Sequence, residues 1–360
     1  MKLDRFLLQA QHYTDPTLIP QEQAQIFHQT WLYLGPAEPV AMPGTVWATH
    51  IAGVSVLVIR DEAGQLQGFH NLCPHRAMEL CPEPGIFQTK RLICPYHAWV
   101  YDLQGQFVAA ARQKGFGEGF DGRDYPLQPV HVAVWQGLLF VSFNPDVMPL
   151  AEYLAPMSQM LGLYAQGEWR WRHQQTRRVA CNWKVYHDNT LCDYHVAVAH
   201  SQTLHRLQGP VRHYQHRFGR YVNALVTPVP PEWLACHRVR RDLPPENQTH
   251  FYTFGVFPNL HILALPDGSL ACLRIDPVTV DECDVVTDIY GMPETNLDEL
   301  LAELEAFMRE DMALAESVQR GYASGRYQPG PVHPLEARIL HHQKLLLAHL
   351  QGAMTTLAGM

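Results

Sequence analysis

The sequence predicts an α+β protein in which a β domain precedes a larger domain of mixed helices and strands. Short β-type runs separated by Gly and Asp fill residues 39–146, and a second series of β-type runs lies between 169 and 290. Stretches with apolar residues at helical spacing flank both series. With 360 residues, 47% of them hydrophobic and 17% charged, the chain is long enough to build two cores.

Residues 1–38 are predicted to form a helical arm that packs on the larger domain. Apolar residues between Gln21 and Tyr33 recur at the spacing of an amphipathic helix. Residues 39–146 are predicted to form a compact all-β domain. Its runs are 45–51, 54–59, 66–69, 99–101, 106–108, 131–135 and 138–143.

Residues 147–360 form the larger predicted domain, which starts with a helix over Leu150–Tyr164. The Pro-rich, polar stretch 216–250 reads as a loop. Successive runs at 169–182, 251–257, 260–265, 269–275 and 285–290 indicate an antiparallel sheet. A long helix is expected from Asn296, where Glu299 completes a capping box, and a last helix follows Pro334.

Two short motifs carry the first piece of chemistry, Cys73-Pro74-His75 and Cys94-Pro95-Tyr96-His97, with residues 76–93 between them. Two cysteines can hold one iron of a [2Fe–2S] cluster and two histidines the other, which is the Rieske arrangement. Structural zinc is the alternative, but zinc motifs usually start with two cysteines separated by two to four residues. Trp99 is expected to help cover the cluster.

These motifs resemble those of the Rieske non-haem iron oxygenases, the family of aromatic-ring-hydroxylating dioxygenase large subunits. The family pattern reads CPHRG and CPYHGW, and this chain has Ala77 and Ala98 in place of the two glycines. Alanine has poor access to positive φ. The sequence therefore predicts ordinary backbone angles at both alanines, with the four ligands Cys73, His75, Cys94 and His97 unaffected.

A second metal site is predicted at His195 and His200, which are separated by four residues. With a later carboxylate they would form a 2-His-1-carboxylate iron(II) site that leaves open positions for O2 and substrate. Residues five apart on a straight helix point about 140° away from each other, since a turn takes 3.6 residues. Both rings can reach one metal only if the helix is distorted or ends between the two residues, and we expect an irregular helix at Val196–Ala199, for which a π-bulge is one explanation.

Asp311 is the predicted third ligand. It falls on the apolar stripe of the long helix, and a carboxylate there is costly unless it is paired or metal-bound. Pairing with an Arg, or capping of another element, is the structural alternative. The segment from Glu310 to Gln319-Arg320-Gly321 also resembles the late ligand segment of the family.

The resemblance covers nearly the whole chain and implies a Rieske domain followed by a helix-grip catalytic domain with a curved antiparallel sheet. It also implies an acidic residue three positions before the first His ligand, which bridges that ligand to a cluster histidine of the neighbouring subunit. This chain has Cys192 at that position. Asp193 is the predicted replacement and Asp188 the fallback; a backbone or water bridge is the alternative.

By this resemblance the chain is expected to be a terminal oxygenase component with a Rieske [2Fe–2S] cluster and a mononuclear Fe(II). The sequence shows no flavin or nicotinamide motif, so electrons are expected from a separate reductase, with a ferredoxin-type centre. A homotrimer is implied as well. The alternative from another class is a Rieske electron-transfer protein or an inactive regulatory relative.

The substrate is expected to be a small organic molecule, and hydroxylation, dihydroxylation and oxidative demethylation all stay open. Quaternary ammonium oxidisers of the family have Glu-Cys-Tyr-His where this chain has Cys192-Asp193-Tyr194-His195, which weakens that assignment. The pocket could draw on Phe251, Tyr252, Phe254, Phe257 and Leu260, although an aromatic strand is more often plain core.

Composition excludes several other classes. The formal net charge of −8 does not favour a nucleic-acid surface, which needs a basic excess. Eight cysteines without framework spacing are expected to be reduced thiols of a cytoplasmic protein. The N-terminal residues lack the apolar stretch of a signal peptide, and no apolar run approaches the ~18 residues that a membrane span requires.

Overall fold

The computed structural model describes residues 4–352, which fall into two compact units. One contains the chain up to Phe27 together with everything from Met148, and the other is His28–Val147. The α+β class is confirmed: helices and sheets are mixed, and every strand pairing among the described residues is antiparallel. No described helix is long and apolar enough to cross a membrane.

Residues 28–38 belong to the β unit, not to a helical arm. The predicted helix over Gln21–Tyr33 ends early: an α-helix covers Leu18–Gln25, and Leu32–Pro36 is a strand that pairs with Leu138–Ser142. Hydrogen bonding in this pair outweighs the helical spacing of the apolar residues. The preceding segment is fixed to the larger unit, because Glu22 accepts hydrogen bonds from Trp183 Nε1 at 2.7 Å and Lys184 Nζ at 2.5 Å.

The β unit contains ten strands in three antiparallel sheets, ordered β1-β10-β9, β4-β3-β2-β5 and β6-β7-β8. The bounds are β1 Leu32–Pro36, β2 Thr45–Ile51, β3 Val54–Arg60, β4 Leu66–His70, β5 Gly85–Gln88, β6 Leu92–Ile93, β7 Val100–Tyr101, β8 Phe107–Ala109, β9 His131–Trp135 and β10 Leu138–Ser142. Its core includes the side chains of Cys73, Cys94 and Trp99.

The larger unit is built on one seven-stranded sheet, ordered β11-β17-β16-β15-β14-β13-β12. The bounds are β11 Arg170–Val179, β12 Gln215–Phe218, β13 Val222–Pro228, β14 His250–Val256, β15 Leu260–Ala264, β16 Leu270–Pro277 and β17 Cys283–Gly291. The predicted loop at 216–250 was wrong in part, because β12 and β13 form one edge of this sheet. The apolar residues of β13, which the structure buries, could have indicated this strand in the sequence.

Ten α-helices are described: α1 Gln11–Thr14, α2 Leu18–Gln25, α3 Leu150–Tyr153, α4 Met157–Met160, α5 Trp183–Thr190, α6 Val196–Ala199, α7 Leu204–Gln208, α8 Pro231–Cys236, α9 Leu297–Ala323 and α10 Ala337–Leu350. The helix predicted over Leu150–Tyr164 is divided into α3 and α4. Pro156 lies between them, and proline lacks the N–H that a continuous helix needs.

The long helix α9 starts as predicted, because the Asn296 side chain accepts a hydrogen bond from the Glu299 N–H. Its buried face contains Leu304, Phe307, Asp311 and Ala315, whereas the apolar side chains of Leu314 and Val318 are exposed. Helix α5 contacts both α9 and strands β15 and β16. The carboxylate of Asp311 is thereby directed toward the residues that follow α5.

Candidate metal centres

The two Cys-His motifs form loops with the same hydrogen-bond pattern. The Cys73 N–H donates to the Met78 carbonyl, and the Ala77 N–H donates back to the Cys73 carbonyl. In the other loop, Cys94 and Ala98 repeat both bonds, with Trp99 in the place of Met78. Each loop is therefore closed on itself by backbone bonds, and its His lies within the closed segment.

The expectation of ordinary backbone angles at the two alanines was wrong. Ala77 has a φ of 56° and Ala98 a φ of 51°, both in the left-handed region. Closing the loop with both backbone bonds requires the chain to reverse at this point, and only a left-handed residue does so. The substitution of alanine for glycine therefore leaves the geometry unchanged and adds strain.

Restoring glycine at either position is expected to stabilise the β unit. The left-handed conformation costs a non-glycine residue about 1–2 kcal/mol, whereas glycine loses about 0.5–1 kcal/mol through its unfolded-state freedom. Ala77→Gly and Ala98→Gly should each gain up to about 1 kcal/mol, measured as a higher midpoint for thermal loss of the visible cluster spectrum. Ala109→Gly, in the extended strand β8, should lower that midpoint; a similar drop in Ala77→Gly would contradict this account.

The side chains of these loops fit a cluster with two sulfur and two nitrogen ligands. The Cys73 and Cys94 thiols are buried, and the rings of His75 and His97 lie 4.7 Å apart between centroids. Nδ1 of each of these histidines is buried and makes no hydrogen bond in the structure. Trp99 stacks on His75, with 4.8 Å between ring centroids and planes 3° apart. Two nitrogens without partners beside two thiols are what the [2Fe–2S] group requires.

The second predicted centre is assembled around one turn of helix. In place of an irregular helix, α6 is a regular turn with His195 at its N-cap and His200 at its C-cap. His200 has left the helical conformation, with a φ of −105° and a ψ of 30°. Because both histidines stand outside the turn, their rings converge although they are five residues apart.

The separations of three side-chain atoms fit one metal ion. Nε2 of His195 is 3.0 Å from Nε2 of His200, and Asp311 Oδ1 lies 3.3 Å and 2.9 Å from these nitrogens, respectively. Two ligands at right angles, each about 2.1 Å from a metal, are about 3.0 Å apart. The three atoms thus occupy one face of a coordination polyhedron, as a 2-His-1-carboxylate site requires.

The electrostatics favour a positive charge at the same point. Burial opposes ionisation of Asp311, yet its hydrogen bonds with the two histidines hold the pKa of its carboxyl below the ordinary value. Burial likewise opposes protonation of His195, yet the hydrogen bond to Asp311 raises its pKa to about 10. A proton or a metal ion can supply this charge.

Three further residues, Glu310, Thr203 and Asn189, orient the ligands, and the sequence did not identify their roles. His200 Nδ1 donates to Glu310 Oε2 at 2.6 Å, and the Thr203 hydroxyl donates to the same oxygen. This bond leaves Nε2 of His200 as the coordinating atom. Asn189 Nδ2 donates to Asp311 Oδ1 at 2.5 Å. The adjacent Glu310 and Asp311 therefore serve the same site, one on each side of His200.

Removing the charge of Glu310 is expected to weaken iron binding. Glu310→Gln should lower the affinity of the mononuclear site by about 10- to 100-fold, because the carboxylate that fixes the His200 tautomer is lost. Chelator competition followed by iron analysis measures this. Glu305→Gln is the control, since Glu305 lies on the same helix and pairs with Arg177 and Arg309. Equal iron retention in both variants would remove Glu310 from the site.

The described hydrogen bonds of Asp193 go to residues other than His195. Its carboxylate is buried and accepts hydrogen bonds from Arg338 Nη1 at 3.0 Å and His216 Nε2 at 2.8 Å. Its N–H donates to the Leu335 carbonyl. Arg338, on α10, holds the carboxylate in the core of the unit, and the bridging role of Asp193 stays a prediction.

Asp188, the fallback, is also bound elsewhere. Its Oδ2 accepts hydrogen bonds from the Tyr13 hydroxyl at 2.8 Å and from Gln343 Nε2 at 3.1 Å. Cys192 lines the same cavity as His195 and contributes, after burial and the hydrogen bond to Asp311, to the shifted pKa of that imidazole. The position three residues before the first ligand is thus adjacent to the ligand, with a thiol where the family has a carboxylate.

A small cavity adjoins the three ligand atoms. Its volume is about 30 Å³, which holds one or two water molecules, so entry of an organic substrate requires its lining to move. Polar groups of Gln208, Thr253 and His261 face it beside apolar side chains, namely Val196, Leu204, Leu263, Leu273 and Phe307. The aromatic residues considered at 251–260 do not line it. In β14, Thr253 lines the cavity, and the strand's alternation puts Tyr252 and Phe254 on the opposite face.

Two family models match the chain. The Rieske [2Fe–2S] domain model matches residues 30–126, and the model for the catalytic domain of ring-hydroxylating alpha subunits matches residues 166–352. Each match contains one of the two ligand sets described above.

Among curated proteins, the chain is 28% identical to a choline monooxygenase of Beta vulgaris, over 94% of this chain and 76% of that protein. It is 32% identical to the oxygenase subunit of a glycine betaine monooxygenase of Pseudomonas aeruginosa, over 56% of this chain and 46% of that protein. The solved structure of the quaternary ammonium Rieske monooxygenase CntA with L-carnitine shares its fold, with a TM-score of 0.78, 23% identity and coverage of 97% and 96% of the two chains.

Proposed function

Because the chain belongs to the family of ring-hydroxylating oxygenase alpha subunits and contains a Rieske domain, we propose that it is a terminal oxygenase that oxidises a small organic substrate with O2. The observation that carries this proposal is the convergence of His195, His200 and Asp311 on one point in a chain that also has a Rieske ligand set. An electron carrier would need only the cluster.

We assign the cluster to Cys73, His75, Cys94 and His97, and the mononuclear iron to the three converging residues. When bound, the cluster supplies single electrons, and the iron supplies open positions for O2 and substrate. The other residues prepare the site. Glu310 and Thr203 hold His200 in one tautomer, and Asn189 fixes one oxygen of Asp311.

Electrons are proposed to come from a separate reductase, since the sequence contains no flavin or nicotinamide motif. We also propose that the chain forms a trimer in which the cluster of one subunit serves the iron of the next. Inter-subunit electron transfer has been described for a quaternary ammonium Rieske monooxygenase with the same fold.

Cys192 is the proposed neighbour of His195 on this electron route, in place of Asp193. Single-turnover oxidation of the reduced cluster, with O2 and substrate present, tests this. Cys192→Asp, which restores a carboxylate, should accelerate oxidation, because a carboxylate holds two imidazoles better than a thiol does. Asp193→Asn would disturb Arg338 and should lower stability first. Unchanged oxidation in Cys192→Asp, with both metals bound, would exclude the position.

Relatives named for choline and glycine betaine make quaternary ammonium compounds the first substrates to test. The cavity differs from what such a cation needs, however. Phe307 is the only described phenylalanine, tyrosine or tryptophan in its lining, whereas an ammonium ion is best bound by several aromatic faces. We therefore propose a substrate recognised by hydrogen bonds to the polar groups of the lining.

A substrate panel with a surrogate reductase tests the proposed activity. It should compare choline, glycine betaine and carnitine with 3,3-dimethylbutan-1-ol, in which carbon replaces the ammonium nitrogen of choline. Product formation and O2 uptake are measured together. If the cavity does not select a cation, the carbon isostere should be turned over at least as well as choline. A strong preference for choline would contradict this, and no coupled O2 uptake with any compound would contradict oxygenase function.

A further inference from the structure

A third group of metal-ligating side chains lies in the larger unit, outside the two proposed centres. It consists of His237, which follows helix α8 directly, and of Glu299 and Glu303 on helix α9. One nitrogen or oxygen atom of each residue lies within 4.8 Å of those of the other two. The groove that these residues line shares no lining residue with the iron-site cavity. The three residues are called here the His-Glu-Glu cluster.

The two glutamates point to the same side of α9 because they are four residues apart. Oε1 of Glu299 lies 3.8 Å from Nε2 of His237, and Oε1 of Glu303 lies 3.6 Å from the same nitrogen. The other oxygen of Glu299 accepts a hydrogen bond from Asn296 Nδ2 at 2.9 Å. Two carboxylates that repel each other therefore face one imidazole nitrogen.

The histidine distinguishes this cluster from a pair of surface glutamates. His237 Nδ1 donates to the Trp233 carbonyl at 2.9 Å, since a carbonyl oxygen can only accept. The ring also stacks on Trp233, with 4.1 Å between centroids and planes 6° apart. The neutral ring thus presents the lone pair of Nε2 to both carboxylates. Metal-binding histidines almost always have their other nitrogen fixed in this way.

No basic side chain compensates the cluster. Within residues 4–352, neither Glu299 nor Glu303 forms an ion pair with a lysine or an arginine. Arg238, which lines the same groove, pairs instead with Glu294 at 3.3 Å. Arg240 of the groove is likewise held elsewhere, by an ion pair with its near neighbour in the sequence. Three acceptor atoms therefore converge without a donor between them.

The charges around the cluster favour a cation. Burial raises the pKa of the Glu303 carboxyl, and Glu299 and Asp267 act in the same direction, whereas His237 opposes them. Asp267 lines the same groove, and burial raises the pKa of its carboxyl as well. A raised carboxyl pKa means that the negative charge is poorly compensated. A positive ion between these groups would supply that compensation.

The geometry suits a zinc ion. Ligands about 2.1 Å from a tetrahedral metal are about 3.4 Å apart, so the separations in the cluster need to shorten by only a few tenths of an ångström. Side chains that are 53% and 47% exposed, as those of Glu299 and Glu303 are, can make this adjustment. One imidazole nitrogen and two carboxylate oxygens, with water as the fourth ligand, form a donor set that Zn²⁺ accepts. The groove, of about 550 Å³, admits the ion and its water.

We propose that His237, Glu299 and Glu303 bind a Zn²⁺ ion that links the end of α8 to the first two turns of α9. The inference is independent of the proposed oxygenase function. Because α9 also carries Asp311, the ion would fix the helix that supplies the proposed carboxylate ligand of the iron. The alternative occupant is a proton, which would make His237 a cation paired with both glutamates.

Zinc uptake by the holoprotein tests the proposal. Protein with its cluster and mononuclear iron is dialysed anaerobically against Zn²⁺, and zinc and iron are measured in the same samples. The wild type should bind about one zinc per chain without losing iron, and Glu303→Gln and His237→Gln should each weaken this binding at least tenfold. Zinc uptake matched by iron release would show exchange at the mononuclear site and would overturn the proposal. So would equal uptake in wild type and variants, or no uptake with zinc in excess.

Glu294→Gln is the matched control. Glu294 lines the same groove but pairs with Arg238 and lies outside the cluster. It should bind zinc with wild-type affinity. A loss equal to that in Glu303→Gln would show that the overall charge of the groove attracts the ion, and would overturn the assignment to the three residues.

Hydrogen exchange locates the ion without any assay of activity. Zinc should slow amide exchange at the end of α8 and the start of α9 in the wild type, because a ligand that binds only the folded segment suppresses its local opening. Glu303→Gln should show no such change at the same zinc concentration. Slowing confined to residues 195–200 would place the ion at the proposed iron site instead, and would overturn the proposal. An inactive oxygenase would leave this measurement unaffected.

Discussion

Asp311→Ala is expected to remove the mononuclear iron and to abolish substrate oxidation, with a loss of at least about a thousandfold, while the [2Fe–2S] cluster remains. Two histidines cannot retain a labile iron(II) in an open site, because the carboxylate supplies both a ligand and the compensating charge. The loss also leaves His195 and His200 without their shared acceptor. Iron content should fall from about three atoms per chain to about two, with acid-labile sulfide unchanged.

The control for this variant is Glu316→Ala, a carboxylate of the same helix outside the ligand set. It should keep all the iron and its activity. If Asp311→Ala retained the mononuclear iron and full turnover, the carboxylate ligand would have to be sought at Glu310, whose side chain already reaches His200.

Cys94→Ala is expected to remove the cluster and to retain the mononuclear iron, the reverse of the result for Asp311→Ala. It should eliminate the visible spectrum of the cluster and reductase-driven turnover, because one of the two sulfur ligands is lost. About one iron atom per chain should remain, at the mononuclear site, provided that the β unit stays folded. Circular dichroism of the purified variant establishes that, and absorption together with sulfide analysis measures the loss.

Cys81→Ala is the matched control for Cys94→Ala. Cys81 packs against the same core, and burial raises the pKa of its thiol to about 11, which makes it a poor metal ligand. Its replacement should retain the cluster. A colourless wild-type protein with stoichiometric zinc would favour the structural zinc site over the Rieske assignment.

The two variants together also separate an oxygenase from an electron carrier. A carrier would contain about two iron atoms per chain in the cluster and none elsewhere, so Asp311→Ala would change neither its iron nor its electron transfer. The oxygenase reading requires both sites to be loaded independently and turnover to fail when either is lost.

The sequence by itself predicted the fold class, which the structure confirms, and the seven residues that we propose as metal ligands. The cluster motifs are local. Cys and His lie within three residues of each other, so their function as ligands can be predicted without knowing the rest of the fold. Asp311 could be found because a carboxylate interrupts the apolar face of a long, regular helix, where the period is reliable. In the larger unit, strands β11 and β14–β17 were predicted because each is a continuous run of β-type residues.

The tertiary structure decided which groups meet these ligands. Proximity along the chain predicted that Asp193 acts beside His195. In the structure its carboxylate accepts a hydrogen bond from Arg338, which is 145 positions away. No separate role for Glu310 follows from the sequence, yet its carboxylate accepts a hydrogen bond from His200 and orients that ring. Such contacts depend on the packing of elements distant in sequence, which no local period encodes.

The backbone at Ala77 and Ala98 shows the same division between local preference and structural context. Residue type predicted ordinary angles, whereas the two hydrogen bonds that close each loop impose a positive φ. A positive φ costs alanine about 1–2 kcal/mol per residue, and the stabilisation gained by closing the loop around the buried ligand set exceeds this cost. The sequence therefore determined which residues carry the chemistry, and packing decided how each of them is held.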